Sequence, residues 1–288
     1  ENSYHGDTFG AMSVNADGVF TKFYSDLRID VIRCKQGQRS TDDLDVWIED
    51  VSVKIRERHH EIIGLILEPL VQGAGGMIVW PVEAVDRICT LCREYGVLLI
   101  FDEVMTGLGR TGKLFAFEHL QELPDFVCLS KGLTGGLLPL ALTLTSSEIY
   151  QTFLSEDVAK MFFHGHSFTA NAITCAAACA NLKLFKKNSV LEKITVLEKI
   201  HQQSLEKIRR QVVVKDSRVM GAIGAIELAN DASYGGPFSQ RLQALCLKNG
   251  LFVRPLGNVI YLLPPYGSEP GDLANAWSII SDALKELQ

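Results

Sequence analysis

Between Val31 and Ser146, short apolar runs alternate with stretches in which apolar residues return every three or four positions. The runs "VIRC" (31–34), "IIGLILEP" (62–69), "VLLIFDE" (97–103), "DFVCLSKG" (125–132) and "LALTLTS" (140–146) read as strands, being too short for helices. "TDDLDVWIEDVSVKIRERHH" (41–60) and "PVEAVDRICTLCREYG" (81–96) read as helices. Thr41 and Asp42 are N-cap candidates for the first, and Pro81 and Gly96 bracket the second. Strands apolar on both faces, separated by amphipathic helices, predict an α/β fold with a mainly parallel sheet and helices on both faces. Such sheets hold their ligands at the carboxyl ends of the strands. Glu68, Asp102, Glu103, Ser130 and Lys131 all fall at such ends.

Further along, "GHSFTAN" (165–171) leads into an Ala-rich helix, and a long charged helix runs from about Ser189 to Arg210. Then the texture changes. "VMGAIGAIEL", "LFVRPL" and "NVIYLLPP" read as strands, with helices over 237–249 and 270–287. This predicts a large domain over 1–210 and a smaller C-terminal α+β domain over 211–288.

The 288 residues are 47% hydrophobic and 22% charged, as in folded globular chains. The net charge of −6 argues against nucleic acid and anionic membrane as partners. No apolar run reaches the ~18 residues of a membrane span. Seven cysteines, an odd number among apolar neighbours, fit a reducing compartment and so the cytoplasm. A mitochondrial location follows if a presequence precedes Glu1. Cys89 and Cys92 form a C-x-x-C inside a helical pattern with no second pair at zinc spacing, so they read as buried thiols and not as a metal site. Cys175 and Cys179 read the same way. The absence of G-x-G-x-x-G after the first strand excludes a nicotinamide-binding domain.

Asp102, taken alone, could cap a helix, bind a metal or pair with a buried cation. Lys131, taken alone, could be a surface or phosphate-contacting lysine. A half-buried strand-end lysine would instead have a lowered pKa and could form a Schiff base. Together the two match the needs of pyridoxal phosphate: a lysine for the aldehyde and a carboxylate that keeps the pyridine nitrogen protonated. Ser167 and Thr169, ahead of the Ala-rich helix, offer hydroxyls to the phosphate. Ser167 could equally cap that helix.

At this point "LEPLVQGAGGM", "LLIFDEVMTGLGRTGK", "PDFVCLSKGLTGG" and "HGHSFTAN" occur in order. The chain carrying them resembles the class III, ornithine-type aminotransferases of the fold type I pyridoxal-phosphate family. "YHGDTFGAMSV" and "VRPLGNVIYLLPPY" point within it to the branch that serves biotin synthesis. The resemblance implies transfer of an amino group from S-adenosylmethionine to 8-amino-7-oxononanoate, by a homodimer with a shared active site. It assigns Asp102 to the pyridine nitrogen and Lys131 to the Schiff base and proton shuttle. Val104 and Tyr4 would flank the ring, and Ser167, with Thr169 as its rival, would reach the neighbouring subunit's phosphate. Arg254 would grip the substrate carboxylate, with Tyr261 and Asp7 lining the pocket. Glu68 and Arg110 look structural, and Glu103 is a less definite partner of the cofactor. The loop Gly107–Gly112 would let backbone pass close to the cofactor. Another class III ω-amino-acid or diamine aminotransferase is the alternative function, and an inactive remnant a further one. Family members carry a phosphate-binding segment ahead of the Tyr4 motif. This sequence opens at "ENSYHGDTFG" and is read as a portion of a longer protein or an incomplete copy.

Overall fold

The computed structural model describes residues 2–18, 21–35, 41–229 and 234–287. The side chains of 41–43 fall outside the described residues, and with them the N-cap candidates Thr41 and Asp42. In chain order the elements are α1 (Phe9–Val14), α2 (Thr41–Arg58), β1 (Gly64–Leu67), β2 (Val71–Gln72), β3 (Ile78–Val79), α3 (Val82–Glu94), β4 (Leu98–Asp102), β5 (Phe126–Leu129), β6 (Leu142–Thr145), α4 (Ser147–Thr152), α5 (Ala172–Lys187), α6 (Val190–Ile208), β7 (Val214–Met220), β8 (Ile223–Leu228), α7 (Pro237–Lys248), β9 (Val259–Leu262) and α8 (Pro270–Glu286). Their contacts group into two compact units. One comprises Glu1–Leu70, Trp80–Leu108 and Phe117–Lys187; the other comprises Val71–Val79, Gly109–Ala116 and Asn188–Gln288. This grouping puts α6 in the second unit, whereas the texture of the chain changes only after it, near 210.

The first unit is built on a four-stranded sheet ordered β1-β4-β5-β6. β1 and β5 flank β4 in parallel, and β6 closes the order antiparallel to β5. Leu99 and Phe101 of β4 are fully buried, each contributing roughly 1.5–3 kcal/mol. α3 packs on β4 with Val85, Ile88, Cys89 and Cys92 buried, the i, i+3, i+4, i+7 stripe of an amphipathic helix. Asp125 ties three elements together. Its carboxylate accepts from Leu99 N at 2.7 Å and from Arg93 Nη1 at 2.6 Å. Leu99, Phe101 and Asp102 of β4 are buried and Leu98 and Ile100 half-buried, whereas the four residues of β6 are all exposed.

Three expected strands differ. Val31–Cys34 is not a strand, because helix side chains meet its backbone. Lys54 Nζ donates to Arg33 O at 3.0 Å, and Lys35 N donates to Asp50 Oδ2 at 2.7 Å. "VMGAIGAIEL" breaks at Gly221 into the end of β7 and the whole of β8. Gly221 has φ +56, and a Cβ there would meet Gly112 N at 2.4 Å, so only glycine fits the turn. "LFVRPL" has one isolated bridge, Leu256 to Val259. Pro255 cannot donate to a ladder, and Gln243 Nε2 takes Val253 O at 2.8 Å.

The second unit packs α6, α7 and α8 on the antiparallel sheet β7-β8-β9. Ile194, Leu197, Ile226, Leu242, Trp277 and Ile280 form its core. The hairpin β2–β3 belongs to this unit: Arg218 Nε and Nη2 each donate at 2.6 Å, to Met77 O and Gly76 O. Arg110 also belongs here. It donates to Pro264 O at 2.7 Å and lies 4.5 Å over the Tyr266 ring.

Candidate functional site

β4 and β5 run in parallel and end side by side, with Asp102 in register with Cys128. Asp102 is the last residue of β4, and Lys131 follows β5 after one residue, Ser130. The parallel register therefore puts the carboxylate and the lysine at the same edge of the sheet.

Asp102 is buried. Its Oδ1 accepts from Val104 N at 3.0 Å, and its Oδ2 lies 2.7 Å from His5 Nδ1. The His5 side chain is itself only 3% exposed. His5 was missed in the sequence, although it stands inside the quoted "YHGDTFGAMSV" beside Tyr4. Nothing in the local pattern pairs a residue with one 97 positions away. The neighbouring thiol of Cys128 is pushed up, chiefly by burial and then by the charge of Asp102.

Glu103 takes different partners. Its Oε2 accepts from Thr106 Oγ1 at 3.0 Å and its Oε1 from Phe117 N at 2.9 Å. It therefore braces the glycine loop. A Cβ at Gly107 would come within 2.8 Å of Glu103 O, so that glycine serves this close backbone contact.

Lys131 is exposed, not half-buried as its strand-end position suggested. It has φ +39, the left-handed region that a lysine rarely adopts. The backbone around it is held. Ser130 Oγ donates to Leu140 O at 2.8 Å, while Asn181 Nδ2 of α5 donates to Gly132 O at 2.8 Å and Leu133 O at 3.1 Å. Asn181 carried no signal in the sequence, because an asparagine inside a helix normally faces water.

Tyr4 N donates to Glu68 Oε1 at 3.3 Å, which ties the start of the chain to the end of β1. The Tyr4 phenol is pushed up by burial and then by its hydrogen bond to Asp7. Asp7 is exposed, and Val104 is half-buried directly after the carboxylate pair. Ser167 and Thr169 lie in exposed turns ahead of α5. Neither caps α5: Asn171 Oδ1 does, accepting from Ile173 N at 3.0 Å and Thr174 N at 3.2 Å. Asn171 was legible, since it is a preferred N-cap type directly before the helix.

Arg254 and Tyr261 belong to the second unit. Arg254 is exposed and donates from Nη2 to the hydroxyl of Tyr234. The half-buried Tyr261 phenol is pushed up by burial, with Arg254 opposing and Tyr234 adding to the rise. Tyr234, on an irregular stretch, was missed.

The cysteines divide. Cys89 and Cys92 are fully buried, and burial pushes each thiol up to about 12. Cys175 is half-buried and Cys179 exposed, so this pair is not buried on a helix face as expected. Among the described residues no helix is long and apolar enough to cross a membrane.

The sequence pattern of the family described as Aminotransferase class-III matches residues 1–284. The adenosylmethionine-8-amino-7-oxononanoate aminotransferase of Synechococcus elongatus is 38% identical over 299 residues, covering 100% of this chain and 68% of that protein. The Staphylococcus aureus enzyme of the same name is 40% identical, covering 91% of this chain and 61% of its own. The crystal structure of the Methanocaldococcus jannaschii enzyme of that name superposes with a TM-score of 0.92 at 36% identity, over 99% of this chain and 67% of that one. The chain thus spans about two thirds of the length of the relatives it matches.

Proposed function

The chain belongs to the class III aminotransferases, and on that premise we propose that it acts in a pyridoxal-phosphate-dependent amino transfer from S-adenosylmethionine to 8-amino-7-oxononanoate, giving 7,8-diaminononanoate. The observation that carries this reading is the pairing of Asp102 and Lys131 at the ends of two adjacent parallel strands. The relatives' shared name supports the choice of substrates.

The residues present fit the cofactor. A buried acceptor-only carboxylate backed by His5 suits a protonated ring nitrogen. The exposed amine of Lys131 at the same sheet edge suits an aldehyde. When bound, pyridoxal phosphate supplies the electron sink that makes the substrate's α proton removable. Asp102 would hold the proton on the ring nitrogen. His5 holds Asp102 in place. With the cofactor bound, the Lys131 amine would be the base that takes and returns the substrate's α proton. Val104 and Tyr4 would flank the ring. Ser167, with Thr169 as its rival, offers a hydroxyl to the phosphate of a second copy, in a homodimer. In the second unit Arg254 would hold the substrate carboxylate with its planar fork, with Tyr261 beside the substrate, and in the first unit Asp7 would be a substrate-binding residue.

The test is borohydride reduction in the presence of pyridoxal phosphate, followed by peptide mapping and donor assays. The expected results are a mass label on the peptide carrying Lys131, no label in Lys131→Ala, and product formed with S-adenosylmethionine as donor. A label elsewhere would overturn the assignment of the lysine. S-adenosylmethionine failing while an ω-amino acid or diamine serves would overturn the choice of donor.

A further inference from the structure

Arg254 has a fixed backbone and an exposed side chain. Val253 before it is buried, and its carbonyl accepts from Gln243 Nε2 at 2.8 Å. After it come Pro255 and a tight turn in which Leu256 and Val259 exchange hydrogen bonds of 2.8 and 3.0 Å. The guanidinium itself is exposed. A long side chain in water must give up rotamer freedom when it grips a ligand, and this weakens binding unless the side chain is already held.

Tyr234 holds it. Its hydroxyl accepts from Arg254 Nη2, and its ring centroid lies 5.8 Å from the guanidinium carbon. A tyrosine has two side-chain torsions, so it orients a neighbour at little entropic cost. Gly235, with φ +67, and Gly236 follow Tyr234 and lead into α7. Among the described residues, Arg254 Nε and Nη1 have no acceptor. They and the second hydrogen of Nη2 stay available to a carboxylate. The half-buried Tyr261 phenol responds to the charges of both residues, so the three groups form one electrostatic cluster.

We infer that Tyr234 is a positioning residue that presets the Arg254 fork for a carboxylate-bearing substrate. This rests on the reading of Arg254 as the carboxylate grip. The ligand class is a medium-chain acid whose carboxylate lies remote from the reacting carbon.

The test uses the full chain loaded with pyridoxal phosphate, and compares Tyr234→Phe and Arg254→Ala with the parent. Tyr234→Phe keeps the ring and removes only the hydroxyl at an exposed position. Calorimetry measures binding of nonanoate and of its neutral counterpart, nonanamide, and steady-state kinetics gives KM and kcat for 8-amino-7-oxononanoate. In Tyr234→Phe, nonanoate should bind about tenfold more weakly, the usual worth of one hydrogen bond to a charged group. Nonanamide binding should be unchanged, KM should rise in step, and kcat should stay within about twofold. Equal loss for both probes, or a fall in kcat with KM unchanged, would mean a merely structural tyrosine and overturn the inference. If Arg254→Ala weakens nonanoate while Tyr234→Phe does not, Tyr234 has no such role and the reading of Arg254 stands. If Arg254→Ala binds nonanoate as the parent does, both fall together.

Discussion

Asp102 and Glu103 are adjacent carboxylates with separate duties, and their hydrogen bonds divide them. Glu103 is tied to Thr106 and the Phe117 amide within its own loop, whereas Asp102 is tied to His5 at the start of the chain. His5→Ala should therefore act through Asp102. It leaves a buried carboxylate short of one charge-assisted bond, a loss on the order of 1.5–3 kcal/mol. Amino transfer should fall roughly 10- to 100-fold while Lys131 still takes the borohydride label, and an unchanged kcat would show that Asp102 needs no such support. Asn181 stands in the same relation to Lys131, holding two carbonyls just beyond it. Asn181→Ala should slow labelling of Lys131 and lower stability by about 1–2 kcal/mol, read by labelling time courses and thermal melts. The deep signal here was residue type at strand ends. The supporting residues were illegible because each comes from a distant part of the chain.

Helix α5 begins under Asn171, not under either hydroxyl of "HSFT". Asn171→Ala should cost about 1 kcal/mol, the usual worth of a cap, while Ser167→Ala should leave stability unchanged; urea unfolding distinguishes them. In the second unit, α6 and α8 meet through a buried polar pair. Trp277 Nε1 donates to His201 Nδ1 at 2.9 Å, and Gly224 on β8 leaves the room, since a Cβ there would meet that nitrogen at 2.2 Å. Burial pulls the His201 imidazole down to about 4. The fold therefore holds it neutral, while the unfolded chain protonates it near its ordinary value of about 6.5. Stability from this group is fully present above pH 6.5 and is lost as pH falls toward 4, on the order of 3 kcal/mol in all. Urea midpoints measured from pH 4 to 7 should show this slope, and His201→Gln should flatten it. A slope that persists in the variant would place the titration elsewhere.

At the scale of the whole molecule, the first unit carries exposed apolar side chains over one stretch of sequence. Leu137, Phe162, Phe163, Phe168 and Ile173 are each more than half exposed, and Phe163 is 71% exposed. A contiguous apolar surface is the usual mark of an interaction face, which makes these residues the place to test for one. Sedimentation velocity should find a dimer, and Phe162→Ser with Phe163→Ser should shift it toward monomer; a monomeric parent would refute the shared site. The sequence by itself determined the class of fold, the ends of the strands that bear Asp102 and Lys131, and the family, because apolar periodicity and short motifs are local properties of a chain. It also located the long helices of both units to within a few residues, and missed the two six-residue helices α1 and α4. It misread three strands, at Val31–Cys34, at Gly221 and at Leu251–Leu256. Whether an extended run becomes a strand depends on whether a partner or a side chain claims its backbone. Only the tertiary structure decided which carboxylate meets His5, which residue caps α5, that Lys131 stands exposed with a left-handed φ, and that Tyr234 holds Arg254. The first and last are contacts between groups far apart in sequence and the left-handed φ is set by its surroundings, so none leaves a local pattern; the cap is local, and there the structure chose Asn171 among the three hydroxyl or amide candidates at 167, 169 and 171.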